Sequence, residues 1–303
     1  MRFLAVLVVG GLGCGDVSEN PKPDAKQVDS MGMVDTPTTP PRCSPSAAFG
    51  TPQAVTELNT TGYEEGAHLS PDELTVYFSR GGDIYVAKRT TRDEAFGAPA
   101  LLAGITTTGE QLFPSVTADG LFLYATIGPS TNYEIAVAER ASTTTNFGAL
   151  NAVASLSSAK EDSNQTVLPD HSAIWFNSSR DSADTTADIF RATRNVGGTF
   201  DAPVAITALN MVGMNERAPA ITPDELTIYI AADRAPASAT NMDIFVAKRT
   251  TTNDGFGQPA VVAEVSSSSH DFPTWVSADG CVLYFMRQVG QNDYDIFSAQ
   301  RGL

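Results

Sequence analysis

Apolar and polar residues alternate with a period of two in short segments along most of the chain. Residues 74–79, for example, place Leu, Val and Phe on one face and Thr and Tyr on the other, and turn residues flank them on both sides. Alternation between turn signals is typical of β-strands. No segment shows the 3.6-residue period of a helix, so the pattern predicts an all-β protein.

One strand-rich unit recurs five times after about residue 48. Each copy has an aromatic residue in its second strand, and an acidic residue followed by Ile at the start of its third. The aromatic residues are Tyr77, Tyr124, Trp175, Tyr229 and Tyr284, and the acidic residues are Asp83, Glu134, Asp188, Asp243 and Asp295. Four-stranded units of about fifty residues that repeat in this way build a β-propeller, so the sequence predicts a five-bladed β-propeller.

The repeat resembles a family of envelope propellers. Ser70-Pro-Asp-Glu-Leu-Thr-Val-Tyr-Phe and Pro114-Ser-Val-Thr-Ala-Asp-Gly, each followed by an acid-Ile pair, are similar to the WD40-like repeats of the TolB type. The resemblance covers about residues 49–301 and implies the propeller fold. It implies little about function, because this repeat serves many unrelated envelope proteins. No second domain like the amino-terminal one of TolB is recognisable.

The strand order of such repeats predicts how the ring closes. Residues 49–58 then form a lone outermost strand, and the chain stops at Gly302-Leu303 directly after a third strand. We expect the strand at about 49–58 to join the last blade, because this closes the ring and removes an open sheet edge.

The amino terminus indicates export. Residues 1–14 carry one positive charge and a short apolar run that ends in Gly13-Cys14. The run is too short to span a bilayer but fits a signal peptide. Its end resembles a bacterial lipoprotein signal, which predicts lipidation of Cys14. The alternative is a plain signal peptide with an incidental cysteine.

Residues 15–46 are rich in Pro, Asp, Ser and Thr and nearly free of aromatic residues. Such a segment buries too little surface to offset its chain entropy, so we interpret it as a disordered tether. The propeller domain then spans residues 47–303. Together these features predict a propeller lipid-anchored in the bacterial cell envelope, at the outer membrane and on the periplasmic or surface side.

The two other cysteines suggest a disulfide that stabilises the closed ring. If the ring closes as predicted, Cys43 and Cys281 lie near the same end of the last blade, where they can form a disulfide in an oxidising envelope. Two free thiols are the alternative. Three histidines without a Cys-x-x-Cys pair do not indicate a zinc site, and we predict neither a metal nor a cofactor.

Charged residues flank the innermost strands in nearly every unit. Acidic residues directly precede each innermost strand, and arginines follow four of the second strands. Glu64, Asp162 and His270 are sequence neighbours of the acids chosen as candidates below. The candidate binding residues are Glu65, Glu110, Glu161, Glu216 and Asp271, with Arg80, Arg180, Arg234 and Arg287. In a propeller these loops share the face around the mouth of the central channel. They form either ion pairs that fix the loops or a polar binding pocket.

These observations predict a binding or scaffold module rather than an enzyme. The formal net charge of −16 repels phosphate backbones and excludes nucleic acid as a partner. An envelope protein, a peptide or a cell-wall glycan is the expected partner. The alternative is a carbohydrate-active enzyme that uses two of the five candidate acids, as acid and as base or nucleophile. Trp175 and Trp275 lie within strand patterns and are expected in the core.

Overall fold

Short strands of two to nine residues make up the regular structure of this chain. The computed structural model describes residues 42–105, 109–129, 132–182, 186–234 and 241–303. Cys14, the predicted signal peptide and residues 15–41 of the predicted tether lie outside these ranges. The strands are β1 (Gln53–Ala54), β2 (Glu64–Leu69), β3 (Thr75–Arg80), β4 (Asp83–Lys88), β5 (Ala100–Leu101), β6 (Glu110–Val116), β7 (Phe122–Gly128), β8 (Glu134–Glu139), β9 (Asn151–Ala152), β10 (Asp162–Val167), β11 (Ala173–Ser178), β12 (Asp188–Thr193), β13 (Val204–Ala205), β14 (Glu216–Ile221), β15 (Thr227–Ala232), β16 (Asp243–Lys248), β17 (Ala260–Val261), β18 (Asp271–Val276), β19 (Val282–Gly290) and β20 (Asp293–Gln300).

Within the described residues these strands form five antiparallel sheets of four strands each. Blades 1 to 4 are β2–β5, β6–β9, β10–β13 and β14–β17, and blade 5 has the order β1-β20-β19-β18. The innermost strands β2, β6, β10, β14 and β18 contact one another in cyclic order, and β18 returns to β2. The five-bladed β-propeller predicted from the repeat is confirmed.

The ring closes through the amino-terminal segment, as predicted. Strand β1 pairs antiparallel with β20, with Gln53 opposite Ser298, and Phe49 forms a further bridge to Arg301. The regular strand is shorter than the predicted 49–58, because the chain turns after Ala54 towards blade 1. The last blade thereby gains its fourth, outermost strand.

A disulfide and an ion-pair cluster reinforce this closure. Cys43 is bonded to Cys281, as predicted. Its neighbour Arg42 donates to Glu73 of blade 1 (2.6 and 2.8 Å) and to Asp279 of blade 5 (2.7 and 3.0 Å). Burial opposes ionisation of Asp279, but the hydrogen bond and charge of Arg42 outweigh it and lower the Asp279 pKa to about 2. Arg42 and Cys43, which fall within the predicted tether, thus connect the first and last blades.

The core lies between the blades rather than within each sheet. Each of five apolar clusters contains residues from two neighbouring blades. Trp175 is fully buried between blades 3 and 4, where its Nε1 donates to Glu225, and Trp275 is buried between blades 5 and 1. Both tryptophans therefore belong to the core, as predicted. Packing on both faces explains why the strands carry apolar side chains in both directions.

A bulge in the innermost strands narrows the central channel. Its residue has a positive φ in four blades: Gly66 (65°), Phe113 (52°), Asn164 (53°) and Ala218 (51°). In blade 1 only glycine fits, because a Cβ on Gly66 would lie 2.5 Å from the Phe113 Cα. In blade 5 the bulge contains Pro273.

Polar side chains of the second strands hold these bulges. The Oγ of Ser79 accepts from the Phe113 N–H (3.4 Å), and the Thr126 Oγ1 accepts from the Asn164 N–H (3.2 Å). The Asn177 Oδ1 accepts from the N–H of Ala218 in the same way (3.1 Å). Blade 4 has Ala231 at the equivalent position, and the next bulge residue, a proline, has no N–H to satisfy.

Candidate functional site

Four blades carry a buried carboxylate–arginine pair at the edge of the channel mouth. The carboxylates of Glu64, Asp162, Glu216 and Asp271 are completely buried, and each opens an innermost strand. Arg80 Nε lies 3.0 Å from Glu64 and Arg287 Nε lies 2.6 Å from Asp271. Arg180 pairs with Asp162 at 2.6 Å, and Arg234 pairs with Glu216.

Each of these arginines also fastens the connection from the preceding blade. Arg80 donates to the Leu58 carbonyl (2.6 Å) and Arg287 to the Val265 carbonyl (2.9 Å). Arg180 and Arg234 donate to the equivalent carbonyls of Leu156 and Leu209. All four carbonyls belong to the turn between one blade's outermost strand and the next blade's innermost strand. The pair therefore acts as a joint between neighbouring blades.

The carboxylate completes the same joint from the other side. Glu64 accepts from the N–H of Thr60 (2.9 Å), and Asp162 accepts from the N–H of Ser158 (2.6 Å). Burial raises the pKa of Glu216 and of Asp271, and their arginines oppose that shift. A buried charge of this kind is tolerated only with its partner and its hydrogen bonds in place.

Blade 2 replaces both members of the pair with uncharged residues. Gln111 stands at the position of the buried acid, opposite Ile127, and is itself buried. Ile127 stands where Arg80 and Arg287 stand in blades 1 and 5. The concerted replacement agrees with the cost of leaving one buried charge without its partner.

The predicted site residues therefore fall into two groups. Glu216 and Asp271 form the buried pairs with Arg234 and Arg287, whereas Arg80 and Arg180 pair with Glu64 and Asp162, the neighbours of the predicted Glu65 and Glu161. Glu65 and Glu161 line instead a pocket at the centre of the same face. The exposed Glu110 lies beside this pocket and is hydrogen-bonded to Tyr133 of its wall.

This pocket, which we call the mouth pocket, has a volume of about 360 Å³. Its floor includes the bulge residues Phe113 and Asn164, which also line the narrow part of the channel. Its walls include Tyr63, Glu65, Tyr133, Glu161, Arg217, Phe272 and Tyr294. The pocket is therefore a depression above a constricted channel.

The two acids of the mouth pocket, Glu65 and Glu161, and the adjoining Glu110 have different surroundings. Glu161 accepts two hydrogen bonds from Arg217 (2.7 and 3.2 Å). Burial opposes ionisation of Glu161, but Arg217 outweighs it and lowers the Glu161 pKa. Glu110 accepts a hydrogen bond from the Tyr133 hydroxyl (2.6 Å). Among the described residues, no arginine or lysine forms an ion pair with Glu65 or Glu110.

Glu65 is the acid whose ionisation is most disfavoured in the mouth pocket. Burial, followed by the negative charge of Glu110, raises the pKa of Glu65 to about 7. Burial and the charge of Glu65 also raise the pKa of Tyr294 to about 12. At neutral pH Glu65 therefore populates both its protonated form, which can donate a proton, and its charged form, which accepts hydrogen bonds.

The other side of the mouth pocket is aromatic. The rings of Tyr63 and Tyr294 stack with their centroids 5.6 Å apart, and Phe272 lies 6.3 Å from Tyr294. The Tyr63 hydroxyl donates to Asn292 (3.1 Å). Tyr63 directly precedes β2 of blade 1, whereas Phe272 lies on β18 and Tyr294 on β20 of blade 5. The three rings therefore meet at the junction of the first and last blades.

Of the twelve residues that line the mouth pocket, only Glu65 and Glu161 were among the predicted candidates. The ten that were missed include Tyr63, Tyr133, Arg217, Phe272 and Tyr294. One signal was available in the repeat. The residue after the buried position of each innermost strand differs in every blade, and these residues are Glu65, Leu112, Ser163, Arg217 and Phe272. Variation at one position of an otherwise regular repeat is what an asymmetric site requires.

The described residues offer neither a metal-binding cluster nor a membrane-spanning helix. These contain no group of three or more His, Cys, Asp and Glu side chains arranged to hold a metal ion. The same part of the chain contains no helix with the length and hydropathy to span a bilayer.

Solved structures share the fold of this chain. An endo-arabinase from Bacteroides thetaiotaomicron is 13% identical, with 84% of this chain and 98% of that chain covered and a TM-score of 0.58. An alpha-L-arabinofuranosidase from Lactobacillus brevis is 11% identical, with 82% and 94% covered and a TM-score of 0.55. A protein assigned as TolB from Agrobacterium tumefaciens is 14% identical, with 78% and 76% covered and a TM-score of 0.52. No protein-family model and no curated protein sequence matches the chain. At these identities the likeness shows the propeller fold alone.

We expect the joint to behave as a coupled pair. Arg80→Ile leaves the Glu64 carboxylate buried without its counter-charge and should lower the free energy of unfolding by about 3 kcal/mol. The double variant Glu64→Gln/Arg80→Ile recreates the uncharged pair of blade 2 and should lose less than the single arginine variant. Urea denaturation measures both. Additive losses in the double variant would contradict the coupling.

We expect Glu65 to make stability depend on pH. Its pKa rises from an ordinary value of 4.5 to about 7 on folding, so the folded state holds a proton that the unfolded state releases. The resulting stabilisation is complete below pH 4.5 and is lost as the pH rises to about 7. Relative to Glu65→Gln, the wild-type protein should therefore become less stable between pH 4.5 and 8 in urea denaturation. A constant difference would show that Glu65 titrates normally.

Proposed function

We propose that this protein is a binding module of the bacterial cell envelope, related to the TolB-type propellers, whose ligand site is the mouth pocket. The observation that carries the proposal is the asymmetry of that pocket within a regular ring. Four repeated joints hold the surrounding face rigid, while the five positions beside them differ in charge, size and polarity. A rigid concave site with a few convergent polar groups is the usual form of a ligand site.

The expected ligand is an envelope protein, a peptide or a cell-wall glycan. Aromatic rings on one wall offer a flat apolar surface, and the acids on the other wall offer hydrogen-bond acceptors. A ligand that inserts one group into the pocket can use both walls at once. The four buried ion pairs play a structural part in this proposal, and Glu65, Glu110 and Glu161 contact the ligand.

A carbohydrate-active enzyme is the second candidate, and one observation favours it. Glu65 has a pKa near neutrality and lies beside Glu110, the combination that a general acid and its carboxylate partner require. The structural neighbours named as arabinan-degrading enzymes share this fold. The binding module remains the better supported function, because Glu110 and Glu161 are both occupied by protein donors.

Capture from solubilised envelope separates the two candidates. The full chain and its double variant Glu65→Gln/Glu110→Gln are immobilised, with Glu139→Gln as the matched control. Glu139 is exposed at the end of β8, which is the end of the blade away from the mouth pocket. We expect wild type and control to retain a component that the double variant loses. Equal capture by all three proteins would contradict a binding role for the mouth pocket.

A glycan panel is tested with the same three proteins. Turnover by wild type and Glu139→Gln that disappears in Glu65→Gln/Glu110→Gln, without a captured partner, would replace the binding proposal with the enzyme.

We further propose that Cys14 is lipidated and that residues 15–41 connect the anchor to the propeller. Arg42 and Cys43 contact Glu73, Asp279 and Cys281, which lie in the turns between the first and second strands. These turns are at the opposite end of the blades from the mouth pocket. Arg42 and Cys43 therefore lie on the face of the propeller away from the mouth pocket.

Metabolic labelling tests the anchor. In a bacterial host, wild-type protein should incorporate an alkyne-labelled fatty acid and partition with membranes. Cys14→Ser should incorporate none and become soluble in the envelope fraction, while its ring disulfide still forms. Label retained in Cys14→Ser would contradict the lipidation site.

A further inference from the structure

The mouth pocket and the adjoining Glu110 carry negative charge that the described residues do not neutralise. Glu161 is balanced by Arg217, while Arg80 and Arg287 at the same face are bound to the buried carboxylates of blades 1 and 5. Glu65 and Glu110 have no cationic partner among the described residues. The sequence at 106–108, 130–131, 183–185 and 235–240 contains no Lys, Arg or His.

The aromatic side of the pocket is suited to a cation. An ammonium group close to a tyrosine or phenylalanine ring is attracted by the negative face of the ring. Tyr63, Tyr294 and Phe272 form one continuous aromatic wall, and the Tyr133 ring adjoins Glu110. The methylene stem of a long cationic side chain can pack on such a wall while its charged end reaches the carboxylates.

The depth of the pocket favours the end of a side chain over a continuous polymer. Phe113 and Asn164 line both the mouth pocket and the constriction below it, so a ligand meets a floor. A neutral glycan would need hydrogen-bond donors for its hydroxyl oxygens. Two donors of the wall, Arg217 and the Tyr133 hydroxyl, are already bound to Glu161 and Glu110.

We propose that the mouth pocket binds a lysine side chain of a partner peptide, with the ammonium group between Glu65 and Glu110 and the methylene stem on Tyr63 and Tyr294. This inference rests on the proposed binding function and names its ligand class. In this arrangement Glu65 and Glu110 form salt bridges with the ammonium group of the ligand. Phe272 completes the aromatic wall.

Titration calorimetry with a defined probe tests the inference. The probe is the capped pentapeptide Gly-Gly-Lys-Gly-Gly, and its matched control carries an acetylated lysine of nearly the same shape without charge. We expect the charged peptide to bind at least about tenfold more tightly than the acetylated one, since acetylation removes a charge-assisted contact. Glu65→Gln and Glu110→Gln should each weaken binding about tenfold, and Glu139→Gln should not change it.

Affinity should also rise between pH 6 and pH 8, because lysine stays charged while Glu65 loses its proton. The groups that face Glu65 are Glu110, Glu161, Arg217, Tyr133 and Tyr294. Of these, Glu161 stays ionised because Arg217 lowers its pKa, and the two tyrosines stay neutral because burial raises their pKa values. A flat pH profile in wild type would contradict the role of Glu65.

The outcomes separate this inference from the proposed function. Equal binding of charged and acetylated peptides, or binding of neutral glycans with the same dependence on Glu65 and Glu110, would overturn the lysine assignment and leave a binding module. If the charged peptide, the acetylated peptide and the glycans all fail to bind, and envelope capture is the same in every variant, the lysine assignment and the proposed function both fail.

Discussion

The buried carboxylate–arginine joint is the interaction on which the remaining structure depends. A propeller blade packs on its neighbours through apolar side chains, which do not by themselves fix the angle between two sheets. The joint adds direction, because one guanidinium binds a carboxylate of its own blade and a carbonyl of the incoming connection. Its arginine also lies on aromatic rings of the second and third strands, as Arg80 does on Phe78 and Tyr85. Each such joint places the next innermost strand.

The joint that closes the ring needs additional connections, because its two blades are the farthest apart in the sequence. Here the amino-terminal strand, the Cys43–Cys281 disulfide and Arg42 all connect blade 5 with the segment that leads to blade 1. A cross-link between residues so distant in sequence restricts the unfolded chain strongly. These connections also hold one wall of the mouth pocket in place, since Tyr63 and Tyr294 come from the two sides of this same junction.

The sequence predicts the fold well and the site only in part, because the fold depends on features repeated in every blade and the site on the direction of single side chains. Strand markers such as Tyr77 and Asp83 recur in every blade, so that each copy supports the interpretation of the others. The choice between Glu64 and Glu65 depends on which of two adjacent residues points into the blade junction. The bulge at Gly66 changes the register beyond this point, and no periodicity reveals it. Arg180 and Arg234 stand two residues farther along than Arg80, and a longer loop still brings them to their acids.

The asymmetry of the pocket follows from the regularity of the ring. The buried acids are constrained by their arginines, so variation that preserves the fold is confined to the residues directly beside them. Blade 2 shows both effects. Its buried position is uncharged in Gln111, while its acid stands one residue earlier, at Glu110, where it binds Tyr133 in the mouth pocket. Blade 3 keeps its buried Asp162 and adds Glu161 at the corresponding outer position, where Arg217 of blade 4 meets it. Only Glu65 of blade 1 stands after its buried acid, on the inner side, and it gains the proximity of Glu110 without a cation. The acids that can reach a ligand are therefore the ones that the joints do not use.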